Sequence, residues 1–398
     1  VVYATHAAHE LSLRSPPTER MDLLLWATER YEAARRNEGE PARELLPAAD
    51  LELPAADDAE AAYLDAMDGW DEEAADRAAL ALHRTDPARF WHRSLVFSCR
   101  NLGYAWHHGI FGRHAVGMLP MLRAQDADAV ARSFTAQMLR TDVVQTEDWE
   151  RNVVLAGEAP AALPGSYDED AVRALEDALR TDTAAQVCER IVGLLVDGMP
   201  ESAAWDAVAL HAVAVLLRGN AGGGRHATTF TAAMRLAAER LPDPRDRLLL
   251  LLQAASVAEG TEAEAPRPDE RLFAIEPRAV ATLDEVFRDT PQEHFPTMSP
   301  RGWDAVAAAA GWLDAGGLPE DFFDTWRRLL ASRVQNDFHF HKFLLAVDEH
   351  AARLPAALRT PLLSAAMLHA PSVGWSVRAA YASQRRGLGA LYAAAFES

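Results

Sequence analysis

The sequence is poor in lysine and cysteine and has no long apolar segment. Only one of its 39 basic residues, Lys342, is a lysine, and the other 38 are arginines. Its two cysteines, Cys99 and Cys188, belong to no CxxC or other metal-ligand pattern, which indicates a reducing compartment. No apolar run reaches the ~18 residues of a membrane-spanning helix, and no basic region with a following apolar run opens the chain. These absences predict a cytoplasmic protein that neither crosses a membrane nor is secreted.

Positive charge is also scarce. The chain has 59 acidic against 39 basic residues and a formal net charge of -20 at pH 7. Such a charge repels both the phosphate backbone of nucleic acids and the surface of anionic membranes, so we expect neither as a partner. With 398 residues, of which 49% are hydrophobic, the chain is long enough to bury one large core or two packed lobes without disulfides.

Alternating strand patterns are absent, and helical patterns fill most of the chain. Apolar residues recur at intervals of three and four in segments such as MDLLLWATERYEAARR, TAAMRLAAERL and PLLSAAMLHA. Stretches near 40–58, 156–170 and 258–277, which contain proline and acidic residues, interrupt these patterns. The sequence therefore predicts an all-α, multi-helix array that forms a single domain over residues 1–398, with 258–277 as the candidate boundary between two lobes.

The common catalytic and phosphate-binding motifs are missing. The glycine-rich GNAGGGR, residues 219–225, follows no strand and lacks the Lys and Ser/Thr of a phosphate-binding P-loop, so it predicts a flexible connection between helices. Neither a GxSxG nucleophile elbow nor an HExxH zinc motif occurs. Any catalytic chemistry must therefore come from residues that are dispersed along the chain.

The chain has fourteen histidines, and several lie on apolar helix faces. His211 is flanked on its face by valines, and His108 has Phe111 on its inward side. Burial keeps such an imidazole neutral, which is the form that binds a metal ion. A single buried histidine is more often a core residue that is hydrogen-bonded to the backbone, but several together favour a metal site. Gly109, beside His108, lets another backbone approach closely.

The segment NDFHFHKFLL, residues 336–345, places Lys342 in an apolar run. His339 is three residues before it and shares its helix face, whereas His341 points away from both. In one interpretation the Lys342 side chain snorkels along apolar surface to water. In others it is buried and uncharged, as a Schiff-base nucleophile, a general base, or an amine that captures carbon dioxide and becomes a carbamate ligand for a divalent metal.

The sequence DFHFHK is similar to the Asp-x-His-x-x-Lys element of the questin oxidase-like proteins, which are helical enzymes that oxidise aromatic polyketides. Three further segments resemble elements of that family in the same order: THAAHELSL with the following ERMDLLLWATERYEA, then YAWHHGIF, and then LHAVAV. Each segment is short, and together they are scattered over residues 5 to 350. The resemblance implies a helical, O₂-dependent oxidoreductase of secondary metabolism.

The resemblance also implies a central, buried non-haem iron held by four histidines and a carboxylated lysine. Matched by position, the expected metal ligands are His6, His108, His211, His339 and Lys342. Lys342 is also expected to have a catalytic role. Four alternates lie close in sequence to these ligands, namely His9, His107, His226 and His341. The expected cofactors are Fe(II), O₂, and carbon dioxide as a lysine carbamate. The carbamate would offset part of the charge of a buried dication, which is costly to leave unpaired.

The implied reaction is the oxidation of a polycyclic aromatic or quinone polyketide by ring cleavage, Baeyer-Villiger-like oxidation or hydroxylation, as in antibiotic biosynthesis. The residues leave two other functions open. One is a helical scaffold that binds protein partners without catalysis, and the other is a metal-independent enzyme that uses Lys342 as a Schiff-base nucleophile. The sequence assigns neither substrate-binding residues nor an oligomeric state.

Overall fold

The protein is helical throughout the part of the chain that its computed structural model describes, namely residues 2–17, 19–36, 46–100, 106–140, 147–159, 165–262, 270–288, 290, 300–334 and 337–396. It is 79% helical, with 19 α-helices and no strands in these ranges, so the all-α prediction is confirmed. The helices are α1 (Val2–Leu13), α2 (Arg20–Arg36), α3 (Ala59–Asp68), α4 (Glu72–Thr85), α5 (Pro87–Ser98), α6 (His107–Met118), α7 (Ala124–Leu139), α8 (Glu147–Glu158), α9 (Glu169–Thr181), α10 (Ala184–Val196), α11 (Glu201–Leu217), α12 (Ala221–Ala238), α13 (Pro244–Glu262), α14 (Leu283–Val286), α15 (Pro300–Asp314), α16 (Pro319–Arg333), α17 (His339–Arg353), α18 (Ala356–Ala366) and α19 (Ala379–Phe396).

Short polar side chains set where several of these helices begin. Asp71 accepts hydrogen bonds from the backbone N–H groups of Glu73 and Ala74 at the start of α4. Asp86 accepts one from the backbone N–H of Arg89 at the start of α5. A carboxylate in this position satisfies N–H groups that have no partner within the helix. These helix starts therefore follow from the local sequence.

The glycine-rich segment 219–225 forms the connection between α11 and α12. Asn220 caps α12 by accepting a hydrogen bond from the backbone N–H of Gly223 at 2.8 Å. An added Cβ at Gly224 would lie 2.9 Å from the backbone nitrogen of Leu216, so the glycine lets α12 begin close to the end of α11. The segment thus connects two helices, as predicted, through a tight turn and a helix start.

Most apolar side chains form one core that extends from α1 to α18, and a smaller core lies among α3 to α7. Helix α11 runs through the larger core, because every residue from Ala203 to Leu217 is buried. A helix that is apolar on all sides can only be stable when other elements surround it. None of the described helices is both long enough and apolar enough to span a membrane.

The structure describes the two ends of segment 258–277, the candidate lobe boundary. Helix α13 continues to Glu262, and residues 263–269 lie outside the described residues. The larger core includes Ala258 and Leu272, which lie on either side of that gap. The division into two lobes at this segment stays a prediction.

Helix α12 brings the candidate site together, because it packs against both α6 and α17. His226, Phe230 and Met234 recur at intervals of four along α12 and so share one of its faces. An added Cβ at Gly109 of α6 would lie 2.6 Å from Phe230 Cε2 and from Met234 Cε. The glycine therefore permits a close approach that sets the first turns of α6 against the face of α12 that carries His226.

Candidate metal centre

Three histidines from three helices converge to form what we call the histidine cluster. His107 and His339 are the first residues of α6 and α17, and His226 lies in the second turn of α12. One nitrogen atom from each ring lies within 4.8 Å of the other two. Within the described ranges, this is the one group of three or more histidine, cysteine or carboxylate side chains with the spacing of metal ligands.

The rings of the cluster meet edge to face. The ring centroid of His226 lies 4.9 Å from that of His107 and 4.9 Å from that of His339. The centroids of His107 and His339 are 5.9 Å apart. His226 is buried, whereas His107 and His339 are half-buried. The cluster therefore has one side in the core and one side towards solvent. An accessible coordination position is typical of catalytic metal sites, since structural sites are closed.

The surroundings of His226 leave one of its ring nitrogens available as a ligand. Its Nδ1–H donates to the carbonyl oxygen of Gly222 at 2.8 Å, so Nε2 of the neutral ring carries the lone pair. Nε2 is buried and has no hydrogen-bond partner among the described residues. Burial, with a smaller contribution from the charge of His339, lowers the pKa of His226 to about 3. A neutral ring with a buried, unpartnered lone pair fits a metal ion.

Asp337 orients His339. The Nδ1–H of His339 donates to Asp337 Oδ1 at 2.7 Å, and its backbone N–H donates to the same oxygen at 2.9 Å. Burial alone would raise the pKa of Asp337, but these hydrogen bonds outweigh burial and hold this pKa well below its usual value. Burial, together with the charges of Lys342 and Arg225, lowers the pKa of His339, although Asp337 acts to raise it. A carboxylate on one ring nitrogen, with the other nitrogen free, is the usual arrangement of metal-binding histidines.

Lys342 is buried near the histidine cluster. It is 8% exposed, and its Nζ lies 5.9 Å from the ring centroid of Phe111, which in turn lies 5.4 Å from that of His107. Burial lowers the pKa of Lys342 to about 8, and its charge contributes to the lowered pKa of His339. No hydrogen bond or ion pair joins Nζ to a residue in the described ranges. These features fit a buried amine better than a side chain that snorkels to water.

Trp106, immediately before His107, has a left-handed backbone conformation with φ of 59°. This conformation is uncommon for a residue other than glycine and costs about 1–3 kcal/mol. The Trp106 ring lies edge-on to that of His226, with 6.3 Å between the centroids. Backbone strain of this kind clusters at functional sites, which supports a functional role for the start of α6.

His211 lies in a separate, buried network of charges. Its Nδ1 is 3.4 Å from Glu176 and its Nε2 is 3.7 Å from Glu262. Arg218 bridges the same two carboxylates at 3.1 and 2.8 Å. The structure therefore does not bring His211 into the histidine cluster. The guanidinium of Arg218 already supplies the positive charge that these two carboxylates would otherwise take from a metal ion.

His6 also lies outside the histidine cluster, and its ring pairs with that of His114. Arg113 Nη1 donates to His114 Nδ1 at 3.0 Å, and because guanidinium is only a donor, that nitrogen carries a lone pair. His6 Nδ1 is 3.0 Å from the same atom and must be the protonated partner. Burial, followed by the charge of Arg113, lowers the pKa of His6 to about 4. The alternate His9 is half-buried on the same helix, α1.

The two remaining candidates, His108 and His341, occupy other environments. His108 is buried on α6 one residue after His107, so its ring points about 100° away around the helix axis. His341 is fully buried and stacks on Trp26 with 3.6 Å between the ring centroids. Neither ring belongs to the histidine cluster.

Of the histidine ligands expected from the sequence, only His339 belongs to the cluster, and the alternates His107 and His226 complete it. Asp337 could have been assigned from sequence, because an aspartate commonly accepts a hydrogen bond from the backbone N–H two residues after it. His369 could not. It is buried and stacks on Phe340 at 4.3 Å, and its effect on the pKa of Asp337 depends on the fold.

No known family model matches the chain, and neither a curated protein nor a solved structure matches it. The functional argument therefore depends on the residues themselves. Three neutral imidazoles can hold a divalent transition metal such as iron, zinc or copper. A buried amine near them can act as a nucleophile, as a base or, after reaction with carbon dioxide, as an anionic ligand.

His341 is expected to make the fold sensitive to acid. Burial lowers its pKa to about 3, whereas the unfolded chain has a value of about 6.5. Below pH ~6.5 the unfolded state binds a proton that the folded state does not, so stability falls as the pH falls from about 6.5 towards about 3. His341→Phe can keep the stacking on Trp26 and should stabilise the fold at pH 5 by about 2 kcal/mol more than at pH 8.

Urea denaturation of the wild type and His341→Phe at the two pH values measures this difference. Measurement at pH 8 is the internal control, because His341 is neutral there in both the folded and the unfolded chain. An equal effect of the substitution at both pH values would contradict a neutral, buried His341.

Proposed function

We propose that the protein is a non-haem iron enzyme that uses O₂ to oxidise a polycyclic aromatic or quinone-type polyketide. The observation that carries this proposal is the convergence of three histidines, one of them with a buried and unpartnered lone pair, near a buried lysine. The resemblance to questin oxidase-like proteins supports iron over other metals and an aromatic molecule as the substrate. Ring cleavage, Baeyer-Villiger-like oxidation and hydroxylation are the reactions that the proposal covers.

In this proposal His107, His226 and His339 hold the metal, in place of the other histidines expected from the sequence. The Nε2 atoms of His226 and His339 are the available donors, because Nδ1 of each ring is already hydrogen-bonded. The half-buried positions of His107 and His339 leave the solvent side accessible to a substrate. Ferrous iron, when bound, would supply the one-electron chemistry that lets O₂ react with an organic molecule.

Lys342 is proposed to supply a negative charge as a carbamate. Neutral imidazoles offset none of the charge of a dication, and a buried, unpaired charge is costly. The carboxylate of Asp337 is already shared between His339 and Arg225, whose Nη1 lies 3.7 Å from Oδ2. The neutral amine of Lys342 can form an N–C bond with carbon dioxide and release one proton, which yields a carboxylate on a long arm. The lowered pKa increases the fraction of this amine at pH 7.

Half-buried aromatic side chains beside the histidine cluster suit a flat substrate. The Trp106 ring lies 6.3 Å from that of His226, and the Phe111 ring lies 5.4 Å from that of His107. Both aromatic side chains are partly accessible to solvent. Pairs of aromatic rings contribute about 0.5–1.5 kcal/mol beyond the area that they bury. These two rings would orient a polycyclic molecule and exclude water from one of its faces.

Metal analysis combined with O₂ consumption tests the proposal. We expect one iron per chain in protein purified without chelators, and O₂ uptake with a hydroxyanthraquinone that is lost when the iron is removed. Fe(II) should restore the uptake. Zn(II) should bind without restoring it, because zinc has no redox chemistry.

Other outcomes would favour other functions. Protein without a stoichiometric transition metal would favour the helical scaffold. Uptake that survives chelation or is supported by Zn(II) would contradict an iron oxygenase. Metal-independent trapping of Lys342 by borohydride in the presence of a carbonyl compound would favour the Schiff-base enzyme.

A further inference from the structure

A cavity of about 520 Å³ lies between α5, α6 and residues 240–242, which follow α12. Its lining includes none of the three residues of the histidine cluster. Small-molecule sites typically have volumes of about 300–1,000 Å³, so the cavity can hold a compact organic ligand. The polar groups that line it define what that ligand would carry.

Arg240 is the cation of this cavity that lacks a counter-ion. Its guanidinium forms no hydrogen bond or ion pair with a residue in the described ranges. Arg240 is exposed, and desolvation and the charge of Arg113 lower its pKa while Glu239 and Glu349 act in the opposite direction. An anion bound at this guanidinium would accept a charge-assisted hydrogen bond. Arg89, the other arginine of the lining, already has Glu60 at 3.3 Å.

Two further polar side chains of the cavity have unused hydrogen-bonding atoms. His92 Nε2 bonds to Asp246 Oδ2 at 2.5 Å, and its Nδ1 has no hydrogen-bond partner in the described ranges. Trp91 is 6% exposed, and its buried indole N–H has no acceptor among the described residues. An unsatisfied buried donor costs about 1–3 kcal/mol, which an acceptor on a ligand would relieve.

The remaining lining is largely apolar, with Leu95, Val116, Leu241 and Pro242 among its residues. Asp86, the acid of the lining, already caps α5 through the backbone N–H of Arg89. One unpaired cation beside an apolar wall matches a single carboxylate on an apolar body. A compact phosphate dianion would leave that wall uncovered.

We propose that this cavity binds a small organic acid, whose carboxylate pairs with Arg240 and whose apolar body lies against Leu95, Val116 and Leu241. The polar atoms of His92 and Trp91 would orient the acid group. The inference does not depend on the histidine cluster or on a metal, so its test can fail or succeed independently of the proposed oxygenase activity.

Calorimetric titration of the metal-free, full chain with 2-naphthoate tests the proposal. We expect saturable binding with Kd of about 1 mM or tighter, the affinity typical of a ligand of this size. Arg240→Gln should weaken binding by about 10-fold to 100-fold, because it removes a charge-assisted hydrogen bond. Trp91→Phe keeps an aromatic side chain, removes the N–H, and should weaken binding less. Circular dichroism checks that both variants are folded.

Arg245→Gln is the matched control, because Arg245 is an exposed arginine that lines a different cavity. It should leave the affinity for 2-naphthoate unchanged. The uncharged 2-naphthamide should bind at least about 10-fold more weakly than the acid. Equal affinity of the wild type and Arg240→Gln, equal binding of acid and amide, or no saturable binding at all would overturn the proposal.

Discussion

Replacing His226 with alanine is expected to lower the affinity for iron by more than about 100-fold and to abolish O₂ uptake. Loss of a residue that merely hydrogen-bonds to a metal ligand typically costs about 10-fold to 100-fold in affinity, and here a ligand itself is lost. The buried Nε2 of His226 has no partner in the described part of the chain that could compete with the metal. Anaerobic titration of metal-free protein with Fe(II) measures the effect.

His350 provides a matched control, because it lies on α17 and contacts α12 outside the histidine cluster. Its Nε2–H donates to the carbonyl oxygen of Thr228 at 3.3 Å, and the residue is 1% exposed. His350→Ala should therefore destabilise the fold but keep the affinity for iron. Equal loss of iron in both variants would show that metal binding depends on the packing of α12 against α17 and not on His226 as a ligand.

Two further variants test which set of ligands is correct, the set that the geometry supports or the set that the resemblance implies. His211→Ala should keep the iron, because this ring is engaged with Glu176 and Glu262. Asp337→Asn keeps all three rings of the cluster but should weaken binding by about 10-fold to 100-fold, because the carboxylate that orients His339 is lost. Loss of iron from His211→Ala, with iron retained in His226→Ala, would reverse the assignment.

Lys342→Arg is expected to be inactive and to bind little iron. Guanidinium stays protonated, so a positive charge would lie beside the metal and no carbamate could form. The effective penalty for an uncompensated buried charge is several kcal/mol, which corresponds to a loss of affinity of more than about 100-fold. Lys342→Ala should also be inactive, but acetate or propionate should restore part of its activity by filling the vacated space with a carboxylate.

Carbon-13 NMR of Zn(II)-loaded protein after exchange with labelled bicarbonate measures the carbamate itself, because paramagnetic Fe(II) would broaden a signal so close to the metal. Because the sequence contains a single lysine, a carbamate signal that is present in the wild type and absent from Lys342→Ala belongs to Lys342. A wild-type protein that retains its zinc and shows no such signal would contradict the role proposed for this lysine. The zinc content of the same sample distinguishes that result from a simple loss of metal.

The helical class and several helix starts followed from local sequence. Apolar residues at intervals of three and four select a helix, because they place one face in the core. Side chains such as Asp71 and Asp86 then set the first turn through hydrogen bonds that span two or three residues. The glycine-rich segment 219–225 was different, because the close approach of Gly224 to Leu216 depends on how α12 packs on α11.

The pairing of His339 with Lys342 was also a local property. Two residues three positions apart share a helix face wherever the helix lies, and the apolar neighbours of Lys342 predicted its burial. The structure has Lys342 at 8% exposure with a lowered pKa, as that environment requires. The lowered pKa values of His226 and His341 had the same origin, because desolvation is the largest cause of both shifts.

Which histidines meet was decided by the tertiary structure alone. Periodicity indicates that His211 and His226 both face inward, but the partner of each face lies far away in sequence. The face of α11 that carries His211 meets Glu176 and Glu262. The face of α12 that carries His226 instead packs against α6 at Gly109. His107 and His108 differ by about 100° around one helix, so the packing of α6 selects between them. Sequence indicated that several rings lie on apolar helix faces, and long-range packing determined which of them lie close enough to share one ion.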